Sequence, residues 1–163
     1  IMMEVSQSIP ELVAAAQIVA KTSQDRISEM LGGAEDQSEE FVAATVAIER
    51  AAIDIFSVFE ARMQHHFKRG PFSRKLKTAL MDAGQPDLAD RIHQHYLAIN
   101  VLKHGTGASY RELLNNKSTL ITVKPSAETP TDNSTGLIDV TVPGFFDRLA
   151  ATLLDAYRFL ENK

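Results

Sequence analysis

A chain of 163 residues, 44% hydrophobic and 23% charged, has the size and composition of a single globular domain, 1–163, with a sizeable core. A formal charge of -4 and a pI near 5.7 exclude coating of nucleic acid by bulk electrostatics and leave only local basic patches for that purpose. The absence of cysteine excludes disulfides, thiolate metal sites and cysteine nucleophiles.

The first periodic segment covers about 9–31, where Leu12, Ala15 or Ala16, Val19, Ile27 and Leu31 recur near helical spacing. Pro10 suits its first turn and Gly32-Gly33 stops it. Its apolar stretch, 12–20, follows Glu4 and Glu11 rather than basic residues and is interrupted by Gln17, so neither export nor membrane spanning is expected and a cytoplasmic protein is. Asp36 and Glu39 have the spacing of a capping box, and a long helix is expected to follow, to about Phe67. One stripe of that helix is Phe41, Thr45, Ile48, Ala52, Ile55, Phe59 and Met63. Val42, Val46, Ile53, Phe56 and Phe67 broaden it to a second face, the pattern of a helix lying centrally between neighbours.

Gly70-Pro71 breaks this helix, and 72–83 reads as a short basic one through Arg74, Lys75 and Lys77, ended by Gly84. Pro86 opens a fourth helix, 86–104, closed by Gly105 with Lys103 and His104 at the carbonyl end of the dipole. Residues 110–115 allow a further short turn or helix. After Asn116 the segments 120–124 and 137–142 alternate like strands around a connector rich in Ser, Thr, Pro, Asp and Asn. A final amphipathic helix over about 143–160 points Phe146, Leu149, Leu153, Ala156, Tyr157 and Leu160 to the core. The expected fold is mainly α: a helical bundle around a long central helix, with a small β-hairpin, about 119–142, inserted before the C-terminal helix.

The fourth helix concentrates the chemistry. His93, Leu97, Asn100 and His104 differ by four, three and four residues and share one stripe, while Leu88, Ile92, His95, Ile99 and Leu102 form the core stripe. Two imidazoles and a carboxamide away from the core suit anion binding or proton transfer near neutrality, with Lys103 beside them to hold an anion. His104 and Asn100 are thus the candidate catalytic residues. Lys103, His93, Arg74, Lys75 and Lys77 are the candidate RNA- or anion-binding residues. His95 reads as a core histidine bonded to backbone or to a carboxylate. No metal site is expected, because His93 and His104 stand three turns apart, the adjacent pair His65 and His66 should point in two directions, and there is no HExxH. Glu49, Asp54 and Glu60 on the long helix need partners such as Arg50, Arg62 or Arg91 if they are buried.

The long helix with the segment 47–60, AIERAAIDIFSVFE, followed by a later helix ending Ile99-Asn100-Val101-Leu102-Lys103-His104-Gly105, resembles the HEPN family, small helical domains named for nucleotide binding in higher eukaryotes and prokaryotes. The likeness covers about 36–115. In many members the later helix reads Arg-Asn, a few residues, then His and often Gly. Here Asn100, His104 and Gly105 match, and Ile99 stands where the arginine would be. No arginine of the chain has a histidine at the family's spacing, since Arg91 to His95 and Arg62 to His66 are too short.

The resemblance implies a helical bundle that dimerises with the motif helices of two subunits at a cleft. It also implies either metal-independent endoribonuclease chemistry, with the RNA 2′-hydroxyl as nucleophile, or a non-catalytic RNA-binding, antitoxin-like or scaffolding role. Loss of the guanidinium removes bidentate stabilisation of a charged transition state. The expectation is a homodimeric HEPN-like module associated with RNA or with a protein partner, non-catalytic or weakly active and without a cofactor. The alternatives are an endoribonuclease using His104, Asn100 and Lys103, and a small-molecule-binding bundle with the hairpin as lid.

Overall fold

The computed structural model describes residues 7–31, 38–116, 120–124 and 137–162. Among them the chain forms α1 (Ile9–Leu31), α2 (Ser38–Met63) running into a 3-10 turn (Gln64–His66), α3 (Phe72–Asp82), α4 (Pro86–His104), α5 (Ala108–Asn115) and α6 (Phe145–Glu161). The all-α class is as expected. No helix among the described residues is long and apolar enough to cross a membrane.

α1 opens on a capping box that the Pro10 signal had hidden. The Ser8 hydroxyl accepts from the Glu11 N–H at 3.3 Å while Glu11 Oε1 accepts from the Ser8 N–H at 2.8 Å, which satisfies two otherwise orphaned donors. The Ser8 backbone N–H, and after it the Ser8 hydroxyl, hold the Glu11 carboxyl below its usual range. The expected capping box at Asp36 and the Gly32-Gly33 stop lie outside the described residues. The buried side of α1 is Ile9, Val13, Ala20, Ile27 and Met30, whereas Val19 is 52% exposed and Leu12 half-buried. Ile27 is buried as expected, while Val13 and Ala20 are buried in place of Leu12 and Val19, one residue along. Apolar side chains are thereby left on the surface of α1.

α2 packs against α1, α4 and α6. Its first stripe is inside through Thr45, Ile48, Ala52, Ile55, Phe59 and Met63; Val42, on the second face, stays 51% exposed. Phe59 meets Phe72 edge-on at 5.6 Å, and Phe72 meets Phe67 at 5.7 Å, so the start of α3 is clamped onto the end of α2. The turn 83–85 then folds α4 back antiparallel on α3. Gly105 adopts φ 78°, a left-handed value that favours glycine, and its N–H caps the Val101 carbonyl, so α4 stops where the sequence indicates.

The β-hairpin does not form among the described residues. The segments 120–124 and 137–142 meet in a single antiparallel bridge, Val123 with Ile138, through Lys124 N–H to the Leu137 carbonyl at 2.8 Å and Asp139 N–H to the Thr122 carbonyl at 2.9 Å. The connector, 125–136, lies outside the described residues. Three hydrogen bonds engage neighbouring groups in other ways. Asp139 Oδ1 accepts from the Thr141 N–H and hydroxyl at 3.0 and 2.6 Å, making an Asx turn, and the Tyr110 hydroxyl donates to the Lys124 carbonyl at 2.6 Å. Leu137 and Ile138 are both buried although adjacent, so the segment plugs the core instead of alternating between core and solvent. α6 follows from Gly144 and buries Phe145, Phe146, Leu149, Leu153, Ala156 and Leu160, close to the expected stripe.

Candidate functional site

α4 carries the expected core stripe: Leu88, Ile92, His95, Ile99 and Leu102 are all buried. Its His95 ring donates through Nδ1 to the Arg91 carbonyl at 2.9 Å, lies against Phe145, and leaves Nε2 buried without a hydrogen-bond partner. Burial pushes its pKa down to about 4. The Arg91 carbonyl works against that shift, and the positive charges of Arg148 and Arg91 add to it. His95 is therefore a neutral structural residue.

The stripe expected on the non-core side is not left to solvent. α5 folds back along α4, so Leu97 is buried at 3% exposure, Asn100 Nδ2 donates to Ser109 Oγ at 3.2 Å, and His93 Nε2 meets Glu112 Oε2 at 2.7 Å. A Tyr96 ring stacks beside His93 at 6.3 Å. Glu112 and Ser109 were missed in the sequence because they engage α4 only once the Gly105–Gly107 turn has reversed the chain. His93 is thereby tied to a carboxylate, a poor arrangement for receiving an anion.

His104 is different. It is exposed, and among the described residues its ring makes no hydrogen bond. It stands with Tyr96, Asn100, Gly105, Gly107, Ala108 and Ser109 around a cleft of about 370 Å³. Eleven residues of helix separate it from His93, about 16 Å along the axis, so the two imidazoles serve no common centre.

Lys103 points to another cluster. Burial raises the Glu60 carboxyl above its usual range, while the Ser73 hydroxyl, donating to Oε2 at 3.2 Å, and the positive charge of Lys103 pull it back down. This puts the end of α4 beside the start of α3. Along that start Arg74 and Lys75 are exposed and Lys77 half-buried, and Lys68 and Arg69 are exposed just before it. None of these five cations has an ion-pair partner among the described residues. Arg91, by contrast, is held by Asp155 on α6 at 2.6 Å and is turned away from His104. Ile99, where the arginine of the resembled motif would stand, is 2% exposed, so that position belongs to the core.

His65 and His66 were expected to diverge, as neighbours on a helix do by about 100°. Instead their rings lie 4.2 Å apart at 34°. Hydrogen bonds turn them together: His65 Nδ1 to the Arg62 carbonyl at 2.8 Å and His66 Nε2 to Glu161 Oε2 at 3.0 Å.

Set beside known proteins, the chain matches no family model, and neither a curated protein nor a solved structure is significantly similar to it.

Proposed function

We propose that this chain is a HEPN-like, RNA-associated module that holds a phosphate backbone along the basic end of the α3–α4 hairpin, with His104 and Asn100 at its edge, and does not cut it. The observation that carries this reading is the row of unpaired cations, Lys68, Arg69, Arg74, Lys75 and Lys77, at the end of the hairpin where Lys103 and His104 sit. On a chain of net charge -4, such clustering provides the local positive potential that a polyanion needs. Burial of Ile99 supports the non-catalytic half, because no guanidinium enters from the motif position to stabilise a charged transition state.

The test uses labelled single-stranded RNA at low salt with a chelator present. Wild type retains the RNA intact, and His104→Ala weakens retention without changing its integrity. Cleavage that disappears in His104→Ala would replace this reading with the ribonuclease one.

The same proposal includes a homodimer. Leu12, Ala16, Val19, Ala47, Ala51, Ile55 and Val58 line an apolar groove of about 430 Å³ between α1 and α2, with exposed Arg50 and Asp54 at its lip. Neither charge is ion-paired among the described residues. Two antiparallel copies of α2 crossing near Ala51 would set each Arg50 against Asp54 of the other copy, a self-complementary pattern. Sedimentation reads it: Asp54→Arg gives monomer, and adding Arg50→Asp restores the dimer. Wild type that stays monomeric at all concentrations contradicts it.

A further inference from the structure

We propose that His65, His66 and Glu161 form a zinc(II) site that ties the end of α2 to the last turn of α6. Glu161 stands nearly a hundred residues from the adjacent His65 and His66, yet one ligand atom from each of the three lies within 4.8 Å of the others. Two imidazole nitrogens and a carboxylate oxygen are a donor set for zinc or a similar borderline cation. The nitrogens make it a poor set for magnesium or calcium, which take oxygen.

The hydrogen bonds prepare the ligands. His65 Nδ1 faces the Arg62 carbonyl at 2.8 Å, and a carbonyl only accepts, so the ring proton sits on Nδ1 and the Nε2 lone pair is free for a metal. The Arg62 guanidinium is drawn off to the Gln7 carbonyl at 2.9 Å. His66 Nε2 and Glu161 Oε2, 3.0 Å apart, already share one position, and a metal ion inserted between them replaces the proton that joins them now.

Tetrahedral zinc at 2.0–2.1 Å from each ligand spaces the ligand atoms about 3.3 Å apart. His66 Nε2 and Glu161 Oε2 are already near that spacing, and atoms now up to 4.8 Å apart must close by up to about 1.5 Å. The Glu161 side chain is 42% exposed and on the last helical turn, so it can make that move, while the His66 ring, at 17%, is the fixed member. Three protein ligands leave a fourth position for water or an exchangeable anion.

Chelator-stripped protein is titrated with zinc by calorimetry, and with cobalt(II) by visible absorption, whose ligand-field band reports four-coordinate geometry. Wild type takes up a single equivalent, and in carbon–proton spectra of the imidazoles the signals of His65 and His66 move while those of His93, His95 and His104 stay. His65→Ala, His66→Ala and Glu161→Gln each weaken binding at least about tenfold. Circular dichroism checks that each variant is folded, and the imidazole spectra of wild type decide the matter even if one is not. No saturable uptake, uptake undiminished in the three variants, or shifts at other histidines overturns the proposal.

Discussion

His95 makes this fold acid-sensitive in a way that one substitution removes. Its pKa falls from 6.5 to about 4 on folding, chiefly through burial, so between those values the unfolded chain binds a proton that the native one refuses. Stability is therefore fully present above the unfolded value and is lost as pH falls towards the folded one. The full shift corresponds to about 3 kcal/mol at 1.36 kcal/mol per unit, of which about 2 kcal/mol falls between pH 7 and pH 5. That is a large part of a typical net stability of roughly 5–15 kcal/mol. Urea unfolding at a series of pH values measures it. Glu60, raised by burial, changes stability in the opposite direction, so the informative quantity is the difference from His95→Leu. Leucine costs little in hydrogen bonding, because in a helix the Arg91 carbonyl also accepts from the backbone N–H four residues on. The variant should lose about 2 kcal/mol less than wild type from pH 7 to pH 5. Parallel losses in the two proteins would refute the assignment of His95 as a buried neutral residue.

Ile99→Arg, which rewrites the motif position towards the resembled family, should lose about 3 kcal/mol or more in urea midpoint measurements, because the charge enters a position 2% exposed. An unchanged midpoint would mean that the side chain reaches solvent. Ser8→Ala removes the oxygen that caps α1 and should cost about 0.5–2 kcal/mol, with no effect on RNA retention. Phe59→Ala opens the clamp between α2 and α3 and should cost about 3–5 kcal/mol in the same assay.

Helix limits were legible wherever backbone chemistry is decisive: Pro71, Gly84, Pro86 and Gly105 bound α3 and α4 as the sequence indicates. The core side of α4 was legible for the same local reason, a 3.6-residue period with Ile92, His95, Ile99 and Leu102 in phase. What periodicity does not carry is partner choice. The return of α5 converts the open stripe of His93 and Asn100 into contacts with Glu112 and Ser109, and nothing local to α4 announces it. The alternation at 120–124 and 137–142 suggested a hairpin, but among the described residues the two segments meet in one bridge, with an Asx turn at Asp139 and the Tyr110 hydroxyl on the Lys124 carbonyl beside it. The approach of His66 to Glu161 joins positions far apart in the chain and is visible only once α6 has docked.

The central claim is that the basic end of the α3–α4 hairpin binds RNA through its phosphates. Anisotropy of a labelled single-stranded RNA, titrated at several salt concentrations, tests it directly with wild type and the charge-reversed variant R74E/K75E/K77E. Each phosphate contact on a single strand contributes about 0.7 to the slope of log affinity against log salt, so loss of three should lower that slope by about 2. A steep slope in wild type that flattens by this amount, with equal helicity in both proteins, is the predicted result. No binding by wild type at low salt, or the same slope in both proteins, would contradict the account.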